Sequence, residues 1–373
     1  MKVLLIWRDI PSPTHPSLAR PFYLSKFNKK YELTLLSFFT KKSVKSSIGL
    51  YDRVELVKIP TLKDIYRPYF PEMLGKTISL LQLNRFDIIY ADYMMHSYLL
   101  NAKIPVILEF FSPTLFSLKQ LYQREKSFMK KIRFLIRYYS FSFEALRYKK
   151  FDAGIYVTQR HKELSKPFVP KKAFVIPPGV DLEYFKPSRD LSNFPMLVFT
   201  GSMNYPINIH SVIHFCKEIY PMIKKEIPNV RFYIVGRSPV KEIKKLSVRD
   251  NSIVVTGEVE DIRSYIGKAH IAIVPIVVDD GGIKTKVLEA MAMGKAVVST
   301  SLGVQGIGTT HGKNVIIADD LREFANHVIN LLGDENERRR LGKNARKFVE
   351  EEYSWQKMTE MLIDAFKDVV TCS

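Results

Sequence analysis

Cysteine is scarce in this chain of 373 residues: Cys216 and Cys372 are the two present. That is too few for a disulfide framework, and Cys216 sits in an apolar helical run as a small core residue would, so a reducing compartment is expected. Nowhere do about 18 apolar residues run on without a charge, so no spanning helix is expected. The opening, Met1-Lys2-Val3-Leu4-Leu5-Ile6-Trp7-Arg8-Asp9, is too short for a signal peptide and ends in charges. It reads as a first strand of a cytoplasmic protein. No G-x-G-x-x-G follows that strand and no phosphate-loop lysine appears, which argues against a nicotinamide dehydrogenase and a P-loop kinase. No group of His, Cys and carboxylates has zinc spacing, so no metal is expected.

Acidic residues are in short supply too: 57 Lys and Arg stand against 38 Asp and Glu, a net charge of +19. A field of that sign attracts nucleic acid, anionic lipid or phosphorylated substrates. The excess is densest over residues 124–150, where Arg124, Lys126, Lys130, Lys131, Arg133, Arg137, Arg147, Lys149 and Lys150 face only Glu125 and Glu144. Phe128, Ile132, Phe134, Leu135, Ile136, Tyr138, Tyr139, Phe141 and Phe143 are interleaved. A basic, aromatic helix of this kind suits an anionic membrane surface. It fits equally a helix that packs one side into the core and turns its basic side to water. RNA is a third reading, without an RNP, KH or helix-turn-helix signature to support it; nucleic acid is not the expected partner.

An apolar fraction of 46% is that of a globular protein, and the length suits two domains. Short apolar strands alternate with helical stretches. Lys2 to Trp7, Tyr31 to Phe39, Val54 to Ile59, Phe86 to Ala91 and Pro105 to Leu108 read as strands, with Ala153 to Val157 closing a first sheet. Ser17 is placed as the cap of a helix running to about Asn28. Between Pro167 and Pro195 proline is dense, with one short strand, Ala173 to Ile176, inside. The pattern then restarts at Met196 to Phe199 and continues with Val230 to Val235, Ile253 to Thr256, Ile271 to Ile276, Ala296 to Ser299 and Asn314 to Ile317. Right-handed βαβ units and doubly wound α/β sheets follow. The expected division is 1–170 and 171–354, with a final helix over 355–373.

The most informative segment is Asp279-Asp280-Gly281-Gly282-Ile283-Lys284-Thr285-Lys286-Val287-Leu288-Glu289, between two of those strands. Glycines let a backbone approach a ligand closely, and a helix opening there aims free N–H groups and its positive dipole end at a phosphate. Lys284 and Lys286 add two cations. Glu289 lies about one turn into the helix, where a ribose hydroxyl needs a charged acceptor. The plain alternative is a βα turn with solvated lysines.

Residues 279–300 resemble the donor-binding segment of the family-4 retaining glycosyltransferases of the GT-B fold, and more narrowly the exopolysaccharide-associated sugar transferases. Phe199-Thr200-Gly201-Ser202-Met203-Asn204-Tyr205-Pro206-Ile207-Asn208 and Phe232-Tyr233-Ile234-Val235-Gly236-Arg237 match the same subgroup. So do Ile176-Pro177-Pro178-Gly179-Val180-Asp181 with Phe185, and Tyr353-Ser354-Trp355. The resemblance is firm from about Phe151 onward and thin before it. It implies a GT-B architecture of two Rossmann-like domains facing across a cleft, with the last helix crossing back to the first. The implied reaction moves a hexose from a UDP- or GDP-sugar, with retention, to a hydroxyl of a glycan or lipid-linked acceptor. The Asp-x-Asp of metal-dependent sugar transferases is missing, since Asp279 and Asp280 are adjacent.

Donor roles then fall to Gly201, Ser202, Gly236, Arg237, Gly282, Lys284, Lys286, Val287, Leu288 and Glu289. A plain turn at Gly201 and a solvated Arg237 are the alternatives. Many family-4 enzymes carry a second glutamate eight positions before the first; here Gly281 stands at that place, and Asp280 is the nearest substitute. In the amino-terminal domain, Glu109, Asp92 and His96 lie at strand ends and are the catalytic candidates, with His15 and Arg20 in reach of the cleft. The rival classes are a GT-B-fold epimerase or phosphorylase, and a basic membrane- or nucleic-acid-binding protein without transferase activity. An enzyme of this family works in the cytoplasm or on the inner face of the membrane, on cell-surface polysaccharide or glycolipid.

Overall fold

The structure is a computed structural model that describes residues 1–13, 16–28, 30–40, 47–59, 70–125, 127–188 and 190–371. His15, Lys126 and Cys372, and the side chains of Ser17 and Arg124, lie outside the described residues. The chain forms two compact units: Met1–Pro178 with Asp280–Gly282 and Trp355–Ser373, and Gly179–Asp279 with Ile283–Ser354.

The first unit runs β1 (Lys2–Trp7), α1 (Pro16–Phe27), β2 (Glu32–Phe39), β3 (Arg53–Lys58), α2 (Pro71–Leu83), β4 (Ile88–Asp92), β5 (Val106–Phe110), α3 (Thr114–Arg124), α4 (Phe128–Ala145), β6 (Ala153–Tyr156), α5 (Gln159–Leu164) and β7 (Lys172–Val175). Its strands pair in parallel in the order β3-β2-β1-β4-β5-β6-β7. Strand β1 is Lys-Val-Leu-Leu-Ile-Trp with every residue after Lys2 buried, as a central parallel strand covered on both faces requires.

In the second unit come β8 (Met196–Thr200), α6 (Pro206–His214), a π-turn at Phe215–Ile219, α7 (Tyr220–Glu226), β9 (Arg231–Val235), α8 (Lys241–Arg249), β10 (Ile253–Gly257), α9 (Arg263–Lys268), β11 (Ile271–Val274), α10 (Thr285–Ala292), β12 (Ala296–Ser299), β13 (Ile316–Ile317), α11 (Leu321–Gly333) and α12 (Glu335–Glu352). Its sheet order is β10-β9-β8-β11-β12-β13, again parallel. In both units the first strand is flanked by the second and the fourth, so the chain reverses its winding direction beside β1 and beside β8. Open α/β sheets bind ligands outside the carboxyl ends of the strands at such a switch point.

A last helix, α13 (Trp355–Thr371), joins the first unit. Trp355, Met358, Leu362, Ala365, Phe366 and Val369 recur at helical spacing and are buried in one cluster with Val3, Leu5, Trp7, Tyr23 and Leu24. The Trp355 ring stacks on Tyr23 at 4.6 Å.

Three expectations change. Lys172–Val175 pairs with β6, from Ala153↔Lys172 to Tyr156↔Val175, so β7 and not β6 closes the first sheet. The strand expected among the prolines thus belongs to the first unit, and the division falls after Pro178 rather than after Pro170. Helix α1 already begins at Pro16, so Ser17 lies within its first turn instead of preceding it. Proline at a helix start is favoured because its fixed φ suits the helix and its missing N–H has no partner there anyway.

Candidate functional site

The strands beside the second switch point are β8 and β11, and the residues expected to hold a donor follow them. Gly201 leaves β8 with φ 148° and Gly236 leaves β9 with φ 150°, both in the region reserved for glycine. The two turns interlock. Gly201 N–H donates to the Val235 carbonyl at 3.0 Å and Met203 N–H to the Arg237 carbonyl at 2.9 Å. A Cβ at Gly236 would lie 1.8 Å from the Gly201 carbonyl oxygen, so backbone packing excludes a side chain there. Arg237 is exposed, and Ser238 beside it has φ 56°, a left-handed conformation unusual outside glycine.

Above Gly201 sits the ammonium of Lys286. Its Nζ lies 3.7 Å from the centroid of the buried Phe199 ring and donates to Asn208 Oδ1 at 2.8 Å. Asn208 in turn donates through Nδ2 to the Ser202 carbonyl at 2.9 Å. A Cβ at Gly201 would meet both groups, 2.8 Å from Asn208 Nδ2 and 2.9 Å from Lys286 Nζ. One amide therefore ties the turn after β8 to the cation on α10. Ser202 Oγ bonds to Asn204 within the same turn, at 2.9 Å.

Helix α10 opens behind Lys284, an N-cap residue whose side chain makes no cap, and Val287 N–H donates to the Lys284 carbonyl at 2.9 Å; a helix N-terminus in this place favours an anion. Lys284 itself is buried. Val287 and Leu288 are fully buried and pack α10 into the core of the second unit. Glu289 is partly buried; burial raises its carboxyl pKa, while Lys286 and a hydrogen bond from Thr285 pull it back down.

The loop Asp280–Gly282 groups with the first unit. Asp280 Oδ1 accepts from Gly282 N–H at 3.1 Å, so this carboxylate shapes its own loop. Gly281 has φ 69°, and a Cβ there would lie 2.7 Å from Leu164 Cδ1 and 3.0 Å from Pro113. Neither backbone nor space admits a glutamate at that position. The Gly281 carbonyl accepts from Thr158 Oγ1 at 2.8 Å.

In the first unit, Asp92 ends β4 and is the register partner of Glu109 on β5. Each buried carboxylate meets an arginine from the segment after β1: Arg8 Nε lies 2.9 Å from Asp92, and Arg20 Nε lies 2.7 Å from Glu109. Burial raises both carboxyl pKa values, and the arginines oppose it. Arg20 also donates to the Ile176 carbonyl at 2.7 Å. Glu109 Oε2 and Arg20 Nη1 are buried without a hydrogen-bond partner in the protein. His96 is different in kind. Burial lowers its pKa to about 4, its Nδ1 lies 3.0 Å from the Tyr93 carbonyl, and its ring meets Tyr148 edge-on at 5.0 Å. It is a neutral ring among aromatics.

Sequence reasoning missed three members. Asn208 stands in a matching string without a role of its own, because an asparagine in a first helical turn has no chemistry until the fold sets it beside Lys286. Arg8 was read only as the charge that ends β1. His161, the third, is fully buried, its pKa lowered by burial to about 4 against an opposing hydrogen bond with the Ser112 backbone; no local pattern marks it.

Two parallel Rossmann-like sheets, one with a glycine-and-lysine cradle at its switch point, define the class: a two-domain α/β protein of the GT-B architecture. Solved structures share the fold along the whole chain. Sucrose-phosphate synthase from Thermosynechococcus elongatus superposes with TM-score 0.73 over 100% of both chains at 15% identity. Anabaena HepE in complex with UDP and glucose gives 0.70 over 98% of this chain and 99% of that one, at 14% identity. The chain belongs to the glycosyltransferases: residues 24–184 match the Glycosyltransferase Family 4 model and residues 194–334 the Glycosyl transferases group 1 model.

Among curated relatives, a 44.6 kDa protein of the cps region of Klebsiella pneumoniae is 29% identical over 64% of this chain and 63% of its own length. The MMP alpha-(1->4)-mannosyltransferase of Mycolicibacterium hassiacum is 23% identical over 54% of this chain and 49% of its own. The match thus spans less than two thirds of either relative's length.

Proposed function

We propose that this chain transfers a hexose from a UDP- or GDP-sugar to a hydroxyl of a glycan or lipid-linked acceptor, with retention at the anomeric carbon, in the synthesis of a cell-surface polysaccharide or glycolipid. The observation that carries the reading is the cradle after β8: interlocked glycine turns that bare the backbone, beside a lysine pinned in place by Asn208. It lies where α10 opens its N–H groups, at the strand edge that binds ligands in such sheets.

In this reading the diphosphate rests on the Gly201 and Gly236 turns, and Lys284, Lys286 and the α10 N-terminus meet its charge. Val287 and Leu288 hold the helix, and Glu289 accepts the ribose hydroxyls. The acceptor oxygen forms the new bond to C1 as the C1–O bond to phosphate breaks, and the nucleoside diphosphate leaves with the electron pair. The acceptor's proton passes to a phosphate oxygen of the leaving group. Stabilising that developing charge is the main catalytic term. Two lysines and a helix terminus already balance the diphosphate, so the reaction proceeds without a metal. The first unit takes the acceptor, with Glu109, held by Arg20 at the end of β5, as the catalytic candidate there. Asp92 positions the strand end through Arg8, and His96 holds the aromatic core behind it.

A thermal-shift panel of UDP- and GDP-sugars tests the donor, since a ligand that binds the folded state raises its melting temperature. Stabilisation by one nucleotide series is expected, followed by release of free nucleoside diphosphate with a lengthened acceptor, undiminished by EDTA. A chain that no nucleotide sugar stabilises is not a transferase of this kind. Interconversion of two nucleotide sugars with no acceptor present would mark it as an epimerase instead.

A further inference from the structure

Helix α4 has two apolar faces, and the core uses one. At about 100° per residue, Phe134, Tyr138, Phe141 and Ala145 fall together. Ala145 is buried, and Phe141 meets Tyr93 and Tyr148 edge-on. On the other side Phe128, Met129, Leu135, Ile136, Tyr139 and Phe143 share an arc of about 120°. Each of these six is between 40% and 75% exposed, and Leu146 beyond the helix is 52% exposed. A contiguous apolar patch of this kind on a globular surface marks an interaction site.

Charge selects the partner. Lys131 borders the apolar arc on one side and Arg133 and Arg137 on the other, while Arg147, Lys149 and Lys150 continue past the helix end. Glu125 is already paired with Lys130, at 3.8 Å, leaving Glu144 as the acidic residue on the helix. A second copy of the chain docked through this face would set one positive patch against its equal, which is repulsive. An anionic bilayer answers both features, with acyl chains for the rings and lipid phosphates for the cations. Among the described residues no helix is long and apolar enough to cross a membrane, so the geometry is that of a helix lying flat.

We propose that the outer face of α4 seats the protein on an anionic lipid bilayer, with Phe128, Leu135, Ile136, Tyr139 and Phe143 sunk into the interface and Lys131, Arg133 and Arg137 on lipid phosphates. This goes beyond the transferase reading, and its test needs no turnover.

Co-sedimentation of the full chain with phosphatidylcholine vesicles, with and without phosphatidylglycerol, across a salt series reads it directly. The wild type pellets with the anionic vesicles and is released by salt. The triple variant Ile136→Ser, Tyr139→Ser, Phe143→Ser changes exposed side chains only, and loses about tenfold or more in affinity. A second triple variant, Lys131→Gln, Arg133→Gln, Arg137→Gln, loses about fivefold for each charge. Melting temperature and stabilisation by nucleotide sugar stay unchanged in both, which separates this outcome from failure of the donor site. Three results overturn the proposal: equal binding to neutral vesicles, no effect of the first triple variant, or a concentration-dependent dimer that the first triple variant abolishes in a protein that ignores vesicles. Capture by RNA in preference to anionic vesicles assigns the patch to nucleic acid and overturns it as well.

Discussion

Lys286 and Asn208 act as one unit, so their substitutions should differ in kind. Lys286→Ala removes a cation from the departing diphosphate and should cost about 2–4 kcal/mol of transition-state stabilisation, read as kcat/KM. Asn208→Ala leaves the charge but frees it to wander, for a loss of about 1 kcal/mol. Wild-type kcat/KM in Lys286→Ala would remove the cradle from the mechanism. Glu289 yields a pH test. Burial raises its carboxyl above the ordinary 4.5, so the charged form, proposed above to accept ribose hydroxyls, is lost early on acidification. Donor Kd should therefore climb as pH falls through a midpoint above 4.5, while Glu289→Gln binds more weakly but flatly over the same range. A flat wild-type curve contradicts the assignment. The places of Lys286, Glu289 and the two turn glycines at the ends of strands and the start of α10 were legible, because they follow from local order along a strand-loop-helix. Asn208 and Arg8 were not, since each acquires its role from a residue 78 or 84 positions away.

Elements show the same divide between near and far. Central strands such as β1 and β8 announce themselves as short, wholly apolar runs, because parallel strands are covered on both faces. Strand β7 does not. Lys-Ala-Phe-Val is short and half-buried at a sheet edge among prolines, and only pairing with β6 shows where it belongs. Helix α4 was left open between core packing and a lipid surface. Its packing resolves half of that: one face meets the core, and a second apolar face remains uncovered. Helix α13 carries a prediction of its own. Trp355→Ala deletes the ring stacked on Tyr23 and leaves a cavity between α1 and α13, at about 3–5 kcal/mol. Urea unfolding should show the first unit's transition shifted and the second unit's unmoved; a shift of both together would mean the units do not unfold independently.

For the whole molecule, the decisive fact is that the first unit is assembled from both ends of the chain. Residues Gly179 to Ser354, apart from Asp280–Gly282, make up the whole second unit, and they leave the ribosome before Trp355 does. Domains fold as units during synthesis, commonly in the order they emerge. Here that order is inverted for completion. The second unit can close while the first still waits, with Val3, Leu5, Tyr23 and Leu24 lacking the α13 side chains that bury them. A chain truncated just before Trp355 should then show a protease-resistant second unit and a first unit that is cut, whereas the chain that includes α13 protects both. Until α13 docks, the half-built unit is an exposed apolar surface, a client for chaperones.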